Sequence, residues 1–208
     1  IDGNRPRPMP MVLGHEAAGV VEEVGPGITH LQRGDHVVAA FVPSCGHCIP
    51  CATGRPALCE PGFKANTAGT LLSGAHRLHD SHGTVNHHLG VSGFAQYSVL
   101  AANSLVKVPA DLPFAEAALF GCAVITGVGA VVNTAQMPHG VSAAVIGLGG
   151  VGLAALLAAR MLDAEHIVAV DLNERKLAVA RELGATATIN AAEPDAAERI
   201  RELTKGGV

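Results

Sequence analysis

The sequence predicts a small all-β, barrel-like domain followed by a parallel α/β domain that is entered but not completed. Three observations predict this order. About the first 120 residues hold short β-prone runs separated by Gly and Pro. From Ser142 onwards, strand-like apolar runs alternate with helical ones. Four closely spaced cysteines form a lobe within the first domain. We place the domains at residues 1–123 and 124–208.

In the first domain, apolar and β-branched runs bounded by turn residues predict three strands. Turn signals stand at Gly25-Pro26-Gly27 and at Arg33-Gly34-Asp35. Residues 61–90 are low in periodicity and are expected to form a long solvated excursion, so its scattered histidines are not interpreted as a further metal site. The predicted strands are 17–25, 36–41 and 96–99.

In the second domain, helical and strand-like periods follow one another regularly. Two helical runs, 113–120 and 124–134, lead into it. The alternation is typical of a parallel sheet with crossover helices. It predicts strands 143–146, 167–170 and 187–189 and helices 150–162, 174–183 and 196–203.

Composition excludes several partners. The formal charge is −4 and there are no Lys/Arg runs, which argues against nucleic acid or an anionic membrane. No apolar run is expected to approach the roughly 20 residues that span a bilayer. No secretory signal is visible, so we expect a cytoplasmic protein. The chain begins at Ile1 without Met and is expected to be a fragment of a longer protein.

The four lobe cysteines have the spacing of metal ligands. Three thiols follow at steps of three, and a fourth returns later, as Cys45, Cys48, Cys51 and Cys59. Such spacing lets a short loop wrap one zinc ion, with sulfur about 2.3 Å from the metal. Four thiolates leave no open position, so the site would hold structure and do no chemistry. Two disulfides or clustered buried thiols are the alternatives, and the regular spacing favours zinc.

A glycine-rich turn follows the first strand of the α/β domain. It reads Gly147-Leu148-Gly149-Gly150-Val151-Gly152 and opens an Ala/Leu-rich helix, which is the context that dinucleotide binding requires. Gly147 permits the tight turn, Gly149 lets backbone approach a pyrophosphate, and Gly152 lets the helix pack closely. The helix N-terminus would then face the phosphates.

An acidic residue follows at the distance expected of a ribose ligand. Asp171 stands nineteen residues after Gly152, at the end of the next strand. A carboxylate there can accept both ribose hydroxyls and would repel a 2′-phosphate, which favours NAD over NADP. The alternative is an ordinary glycine-rich turn with a surface Asp.

A second metal site is indicated by scattered residues. His15 and Glu16 precede the first predicted strand, and Cys122 stands apart from the lobe at the junction of the domains. Alone, each is more often structural, since a single Cys usually packs as a small apolar residue. Beside a dinucleotide fold, together they suggest a catalytic zinc. Cys₂His is already established as the zinc set of alcohol dehydrogenase.

Taken jointly, these motifs resemble the zinc-dependent medium-chain alcohol dehydrogenase family over essentially the whole chain. The resemblance implies a GroES-like β-barrel catalytic domain with a structural-zinc lobe, followed by a partial Rossmann domain. The motifs are G-H-E-A-A-G-V-V-E-E-V-G-P-G at 14–27, G-D at 34–35, the four-cysteine lobe, G-F-A-Q-Y at 93–97, G-C-A-V-I-T-G at 121–127, and G-L-G-G-V-G with Val170-Asp171.

The resemblance also implies roles for individual residues. His15 and Cys122 would hold the catalytic zinc, with Glu16 as a nearby, occasionally ligating carboxylate. The family's first zinc ligand, a cysteine, and its proton-relay residues would lie upstream of Ile1. The remaining roles are Thr126 and Val151 beside the nicotinamide, Asp171 and Lys176 at the adenosine ribose, and Phe41, His88 and Leu89 in the substrate pocket.

The implied function is hydride transfer between a primary or aromatic alcohol and NAD, in a homodimer or homotetramer. One alternative is glutathione-dependent formaldehyde dehydrogenase, but that branch carries an Arg where this chain has Phe63. The other alternative, from a different class, is an inactive protein that still binds NAD and zinc.

Overall fold

A computed structural model describes residues 7–207. The chain divides into two compact units, Ile1–Cys122 and Ala123–Val208.

In the first unit, the described strands form two open three-stranded sheets. One has the order β1-β5-β4, with β1 parallel to β5, and the other is antiparallel with the order β2-β3-β6. Because β2 and β6 have no further partner among residues 7–122, no closed barrel forms there, unlike the predicted one. The strands are β1 Met11–Val12, β2 Ala17–Val20, β3 His36–Ala39, β4 Leu78–Asp80, β5 Gly83–His87 and β6 Leu105–Lys107.

Strand β2 pairs with β3 through the predicted turn at Gly34. Ala17 lies opposite Ala39, and the N–H of Gly34 donates to the carbonyl of Val21 at 2.8 Å. A small apolar core of Val21, Leu31 and Val37 lies beside this pair. The strand ends at Val20 rather than at Gly25. Backbone bonds from Val21 to Asp35 and Gly34 are the last to join the two chain segments, and the turn after Gly25 is closed by the Ile28 N–H.

The strand predicted at 96–99 is absent, and that prediction is wrong. Residues Gln96–Val99 are irregular, and Tyr97 is 76% exposed. A strand needs a neighbour to accept and donate its backbone hydrogen bonds. In the part of the chain that the structure describes, no strand pairs with this segment.

The lobe carries two short helices, α1 Ile49–Ala52 and α2 Glu60–Ala68, with a 3₁₀ turn between them. The sulfur of Cys59 caps α2 by accepting the N–H of Gly62 at 3.3 Å. The helix ends at Gly69, whose φ of 70° is left-handed and suits glycine.

The segment expected to be a solvated excursion is ordered. Helix α2 and the β4–β5 hairpin fill most of it. His87 on β5 is only 2% exposed, and its Nε2 accepts the N–H of Arg77 at 3.0 Å. Burial lowers the pKa of His87, and His76 nearby lowers it further. A solvated position is therefore wrong for this histidine, which is a satisfied core residue.

Residues Phe114–Thr134 form one apolar helical stretch of 21 residues. It contains α3 Phe114–Leu119 and α4 Ile125–Gly129, and each is followed by a wider π turn. By length and composition it could cross a membrane, so the expectation that no apolar run approaches that length is wrong. A single such helix is weak support for a membrane span, since core helices of globular proteins meet the same criterion.

The second unit is a parallel sheet with helices on both faces. Strands β7 Ala143–Ile146, β8 Ile167–Asp171 and β9 Ala187–Asn190 stand in that order. Helices α5 Gly150–Met161 and α6 Glu174–Leu183 pack on one face, and α7 Ala196–Leu203 packs on the other. The strands and helices predicted here are present within one residue at each end.

Candidate functional site

The four lobe cysteines form a compact cluster. Their Sγ atoms all lie within 4.8 Å of one another, and Sγ of Cys48 lies 3.9 Å from Sγ of Cys59. A disulfide requires about 2.05 Å, whereas a tetrahedron with zinc–sulfur bonds of about 2.3 Å has edges of about 3.8 Å. The spacing therefore fits one ion and excludes disulfides among these residues.

Backbone N–H groups point at the cluster's sulfurs. Cys45 N–H donates to Sγ of Cys59 at 3.2 Å, and Cys48 N–H donates to Sγ of Cys45 at 3.3 Å. The N–H of His47 lowers the pKa of the Cys45 thiol to about 6, whereas burial raises that of Cys51 to about 11. A cation is needed to hold all four as thiolates, and Zn²⁺ suits such a donor set.

In the second unit, the glycine-rich turn has the geometry predicted for it. Gly147 has a φ of +90°, and its N–H donates to Val170 at 2.8 Å. A Cβ on Gly152 would overlap the carbonyl oxygen of Gly147, so only glycine fits there. A Cβ on Gly149 would meet no atom within 4 Å, so open space lies over the turn where a phosphate could approach. Gly150 opens α5 beside Ala123, whose Cβ lies 3.3 Å from a Cβ placed on the glycine.

Asp171 fastens the turn to the next strand. Its Oδ2 accepts the N–H of Leu148 at 2.7 Å, and its Oδ1 accepts the N–H of Asn173 at 2.9 Å. These two bonds lower the pKa of the Asp171 carboxyl, and Lys176, 3.5 Å away, lowers it further. The carboxylate stays ionised. Its Oδ2 accepts from both Leu148 and Lys176, so Oδ1, which accepts only from Asn173, keeps a further acceptor position for a ribose hydroxyl.

Helix α4, which carries Thr126, packs against the start of α5, which carries Val151. A Cβ on Gly127 would overlap the carbonyl oxygen of Val151, which brings α4 against the start of α5. Thr126 and Val151 are both exposed. The residue next to Thr126 thus packs against Val151, and the roles of Thr126 and Val151 beside a nicotinamide stay predictions.

In the first unit, three aromatic rings converge. The rings of Phe41 and His88 each lie 5.8 Å from that of His15, both edge-to-face. Gly14 is left-handed at φ +92° and buried against the backbone of Phe94, which directs the next residue inward. His15 thus lies beside Phe41 and His88, two of the residues predicted to line the substrate pocket.

Backbone hydrogen bonds join the chain near Cys122, and Leu89 itself, to the segment Phe41–Val42. The N–H of Phe41 donates to Gly121, the neighbour of Cys122, at 3.4 Å. The N–H of Val42 donates to the carbonyl of Leu89 at 3.1 Å. Among residues 7–207, one group of three or more His, Cys, Asp or Glu side chains has its ligand atoms within 4.8 Å of one another, and this group is the four lobe cysteines. His15, Glu16 and Cys122 therefore do not form such a group in the structure.

His88 offers the pocket an unused polar atom. Its Nδ1 is buried and has no hydrogen-bond partner among the described residues. Burial lowers the pKa of His88 and neighbouring His15 lowers it further, whereas the Gly14 carbonyl acts in the opposite direction. With its other ring N–H directed to the Gly14 carbonyl, the neutral ring offers Nδ1 as a hydrogen-bond acceptor.

Two residues beside this aromatic cluster adopt left-handed backbone. Val42 has a φ of 64° and Leu89 a φ of 53°. Each conformation costs about 1–2 kcal/mol for a residue with a Cβ. Buried Asn66 accepts the N–H of Leu89 on its Oδ1 at 3.2 Å. Sequence reasoning missed Asn66, because its partner lies 23 residues away and no local pattern marks it.

Comparison with known proteins identifies both parts of the chain. The family described as "Alcohol dehydrogenase GroES-like domain" matches residues 1–110, and that described as "Zinc-binding dehydrogenase" matches residues 150–208. These matches confirm the resemblance and the GroES-like assignment of the first domain.

Solved structures of similar proteins agree with this family assignment. An alcohol dehydrogenase zinc-binding domain protein from Burkholderia ambifaria is 44% identical with a TM-score of 0.94, over 100% of this chain and 56% of its own. Benzyl alcohol dehydrogenase from Acinetobacter calcoaceticus is 41% identical with a TM-score of 0.89, over the same shares of 100% and 56%. An NAD-dependent alcohol dehydrogenase is 32% identical with a TM-score of 0.76, over 96% and 52%. This chain spans about half the length of the structures it matches.

Proposed function

The chain belongs to the zinc-dependent medium-chain alcohol dehydrogenase family, and from this premise we propose that the whole protein oxidises a primary or aromatic alcohol with NAD, giving an aldehyde or ketone. The observation that carries the proposal is the convergence of His15, Phe41 and His88. Side chains that could supply a metal ligand, an aromatic wall and a buried hydrogen-bonding atom lie together there.

His15 and Cys122 would hold the catalytic zinc, with Glu16 beside them, and imidazole and thiolate are donors that zinc prefers. The lobe cysteines would hold a second, structural zinc. When bound, the catalytic zinc supplies a Lewis acid for the alcohol oxygen, and NAD supplies the hydride acceptor. Phe41 and Leu89 orient the substrate's carbon skeleton and exclude water. His88 is placed to hold a hydrogen bond at its Nδ1.

Aromatic and apolar walls favour an aromatic alcohol. Phe41 gives an aromatic substrate ring a partner for edge-to-face packing. The neighbour described as a benzyl alcohol dehydrogenase, at 41% identity, supports the same substrate class.

The second unit would bind the cofactor through its own backbone and one carboxylate. The turn at Gly147 and Gly149 and the start of α5 offer space and N–H groups to a pyrophosphate. Asp171, with Lys176 beside it, would accept the adenosine ribose hydroxyls. Thr126 and Val151 would flank the nicotinamide.

The glutathione-dependent alternative is disfavoured by chemistry at one position. Phe63 is 68% exposed and lines a cavity of about 380 Å³ with Val42 and Leu58. An apolar ring there cannot pair with the carboxylate of a glutathione adduct, as an Arg would. We further propose a cytoplasmic homodimer or homotetramer whose partners are small alcohols and aldehydes, not nucleic acid or membrane.

The test uses the full-length protein. Zinc is counted by elemental analysis, and NAD reduction is followed with benzyl alcohol, ethanol and S-hydroxymethylglutathione. We expect two zincs per subunit and the highest kcat/KM for benzyl alcohol. Preference for the glutathione adduct would support the first alternative, and NAD binding with no alcohol oxidation would support the inactive protein.

A further inference from the structure

We propose that Asn66, on the lobe helix α2, is a positioning residue for the loop that lines the substrate pocket. This pocket loop comprises residues 88–92. The inference rests on the proposed function, since it concerns how substrate is held in that same pocket.

Asn66 is the side chain of the lobe that reaches the pocket loop by a hydrogen bond. It is 6% exposed, and its Oδ1 accepts the Leu89 N–H at 3.2 Å. An amide oxygen suits this place, because only an acceptor satisfies a backbone N–H. The bond joins the zinc lobe to a residue predicted to contact substrate.

The pocket loop needs an external constraint at Leu89. Its own bonds close the turn on either side, since His88 N–H donates to Ser92 Oγ at 3.0 Å and Ser92 N–H donates to His88 at 3.1 Å. Leu89 itself stands in left-handed backbone at φ 53°. Its carbonyl bonds to Val42 and its N–H to Asn66, so both of its polar groups are held from outside the loop.

A second contact fixes the distance between α2 and the loop. Pro43 lies between two glycines: a Cβ on Gly62 of α2 would overlap the Pro43 carbonyl oxygen, and a Cβ on Gly90 would lie 2.8 Å from its Cδ. Packing therefore sets the spacing, while the Asn66 bond sets the backbone orientation at Leu89. Orientation at Leu89 in turn aims His88 and Leu89 at the substrate.

Loss of the acceptor should affect substrate binding more than chemistry. Without it, the Leu89 N–H has no partner in the lobe and the loop relaxes toward right-handed backbone. We expect the KM for benzyl alcohol to rise about three- to tenfold, with kcat changed by less than about twofold.

The experiment compares three variants of the full-length protein. Asn66→Leu keeps the shape of the side chain and removes the acceptor, whereas Asn66→Asp keeps an acceptor oxygen. Thr67→Val is the matched control on the same helix, because Thr67 is exposed and donates only within α2, to Phe63. The readouts are kcat and KM for benzyl alcohol, zinc content, and hydrogen exchange of the Leu89 amide.

We expect Asn66→Leu to raise KM and to accelerate exchange at Leu89 with zinc content unchanged. Asn66→Asp should raise KM less than Asn66→Leu, because it keeps the acceptor although it buries a carboxylate, and Thr67→Val should behave as the wild type. Unchanged exchange at Leu89, or an equal rise of KM in Asn66→Asp, would overturn the proposal. So would a fall in kcat and zinc content at constant KM, which would indicate a merely structural role. Failure of the wild type to oxidise any alcohol would refute the proposed function instead, while the exchange measurement would still decide the role of Asn66.

Discussion

The same added methyl group should lower the free energy of unfolding at one glycine of the dinucleotide turn and leave it unchanged or higher at another. In Gly152→Ala, the new Cβ would overlap the carbonyl oxygen of Gly147 and lie 3.0 Å from its carbonyl carbon. Comfortable contact begins at about 3.5 Å, and the obstacle is backbone. The start of α5 must therefore move away from the turn by about 1.5 Å to restore ordinary contact.

The magnitude follows from that overlap. Overpacking against backbone lies at the upper end of the usual range, about 3 kcal/mol. Alanine recovers up to about 1 kcal/mol as the better helix former. The free energy of unfolding should therefore fall by about 2 kcal/mol. Displacement of the phosphate-binding turn should also weaken NAD binding, because the N–H groups at the start of α5 would no longer face the phosphates.

Gly149→Ala places the same methyl group where no atom lies within 4 Å. The residue has φ −82° and ψ −172°, which alanine adopts without strain. Stability should be unchanged or higher by about 0.5 kcal/mol. NAD binding should nevertheless weaken, because the methyl group enters the space where the pyrophosphate would lie.

The assays are denaturant unfolding and calorimetric titration with NAD, both on the full-length protein. Gly25→Ala is the control, since it too meets no atom within 4 Å and lies in the other unit. Wild-type stability in Gly152→Ala would refute the close packing of α5 on the turn. Wild-type NAD affinity in Gly149→Ala would refute the placement of the phosphates over it.

Three further predictions concern single side chains. Asp171→Asn should reduce the preference for NAD over NADP, as measured by initial rates with each cofactor, because the charge that repels a 2′-phosphate is gone. Cys59→Ser should remove about one zinc per subunit by elemental analysis, because it breaks a closed set of four ligands. His87→Leu should lower the free energy of unfolding by about 1–3 kcal/mol, because it leaves the Arg77 N–H without its buried acceptor. The folded-state pKa of His87 is lowered, so the stability that this histidine contributes is complete above about pH 6.5 and is lost as pH falls. Its replacement should therefore make the free energy of unfolding depend less on pH below about pH 6.5.

The three predictions have control variants at exposed positions or a result that would contradict them. Asp163→Asn, at an exposed carboxylate, should leave the cofactor ratio unchanged, and an unchanged ratio in Asp171→Asn would contradict its role. Full zinc content in Cys59→Ser would contradict a four-cysteine site. His79→Gln on the exposed strand β4 should not alter stability. Equal losses in it and in His87→Leu would contradict a specific buried bond.

Sequence reasoning succeeded where the chemistry is local. The lobe cysteines and the turn at Gly147 are contiguous motifs whose spacing alone determines the geometry. The alternation of the second domain is likewise a short-range signal, and its elements lie where predicted.

The failures share a physical cause, which is dependence on distant partners. A strand at Gln96–Val99 requires a neighbour, and the apolar alternation does not reveal whether one exists. The polar residues around His87 predict a solvated side chain, whereas its ring accepts a hydrogen bond from the Arg77 N–H. Asn66 acts on Leu89 across 23 residues, so nothing in its own surroundings marks it.

The packing of Pro43 between Gly62 and Gly90 limits how freely the lobe can be exchanged between related proteins. The lobe resembles an exchangeable insert in one respect, because its candidate metal ligands all lie within fifteen residues. However, any side chain at either glycine collides with Pro43. These three positions therefore vary together or not at all. A lobe transplanted from a relative would have to bring its own counterparts of all three, so the transferable unit runs from Pro43 to the pocket loop rather than ending at Cys59.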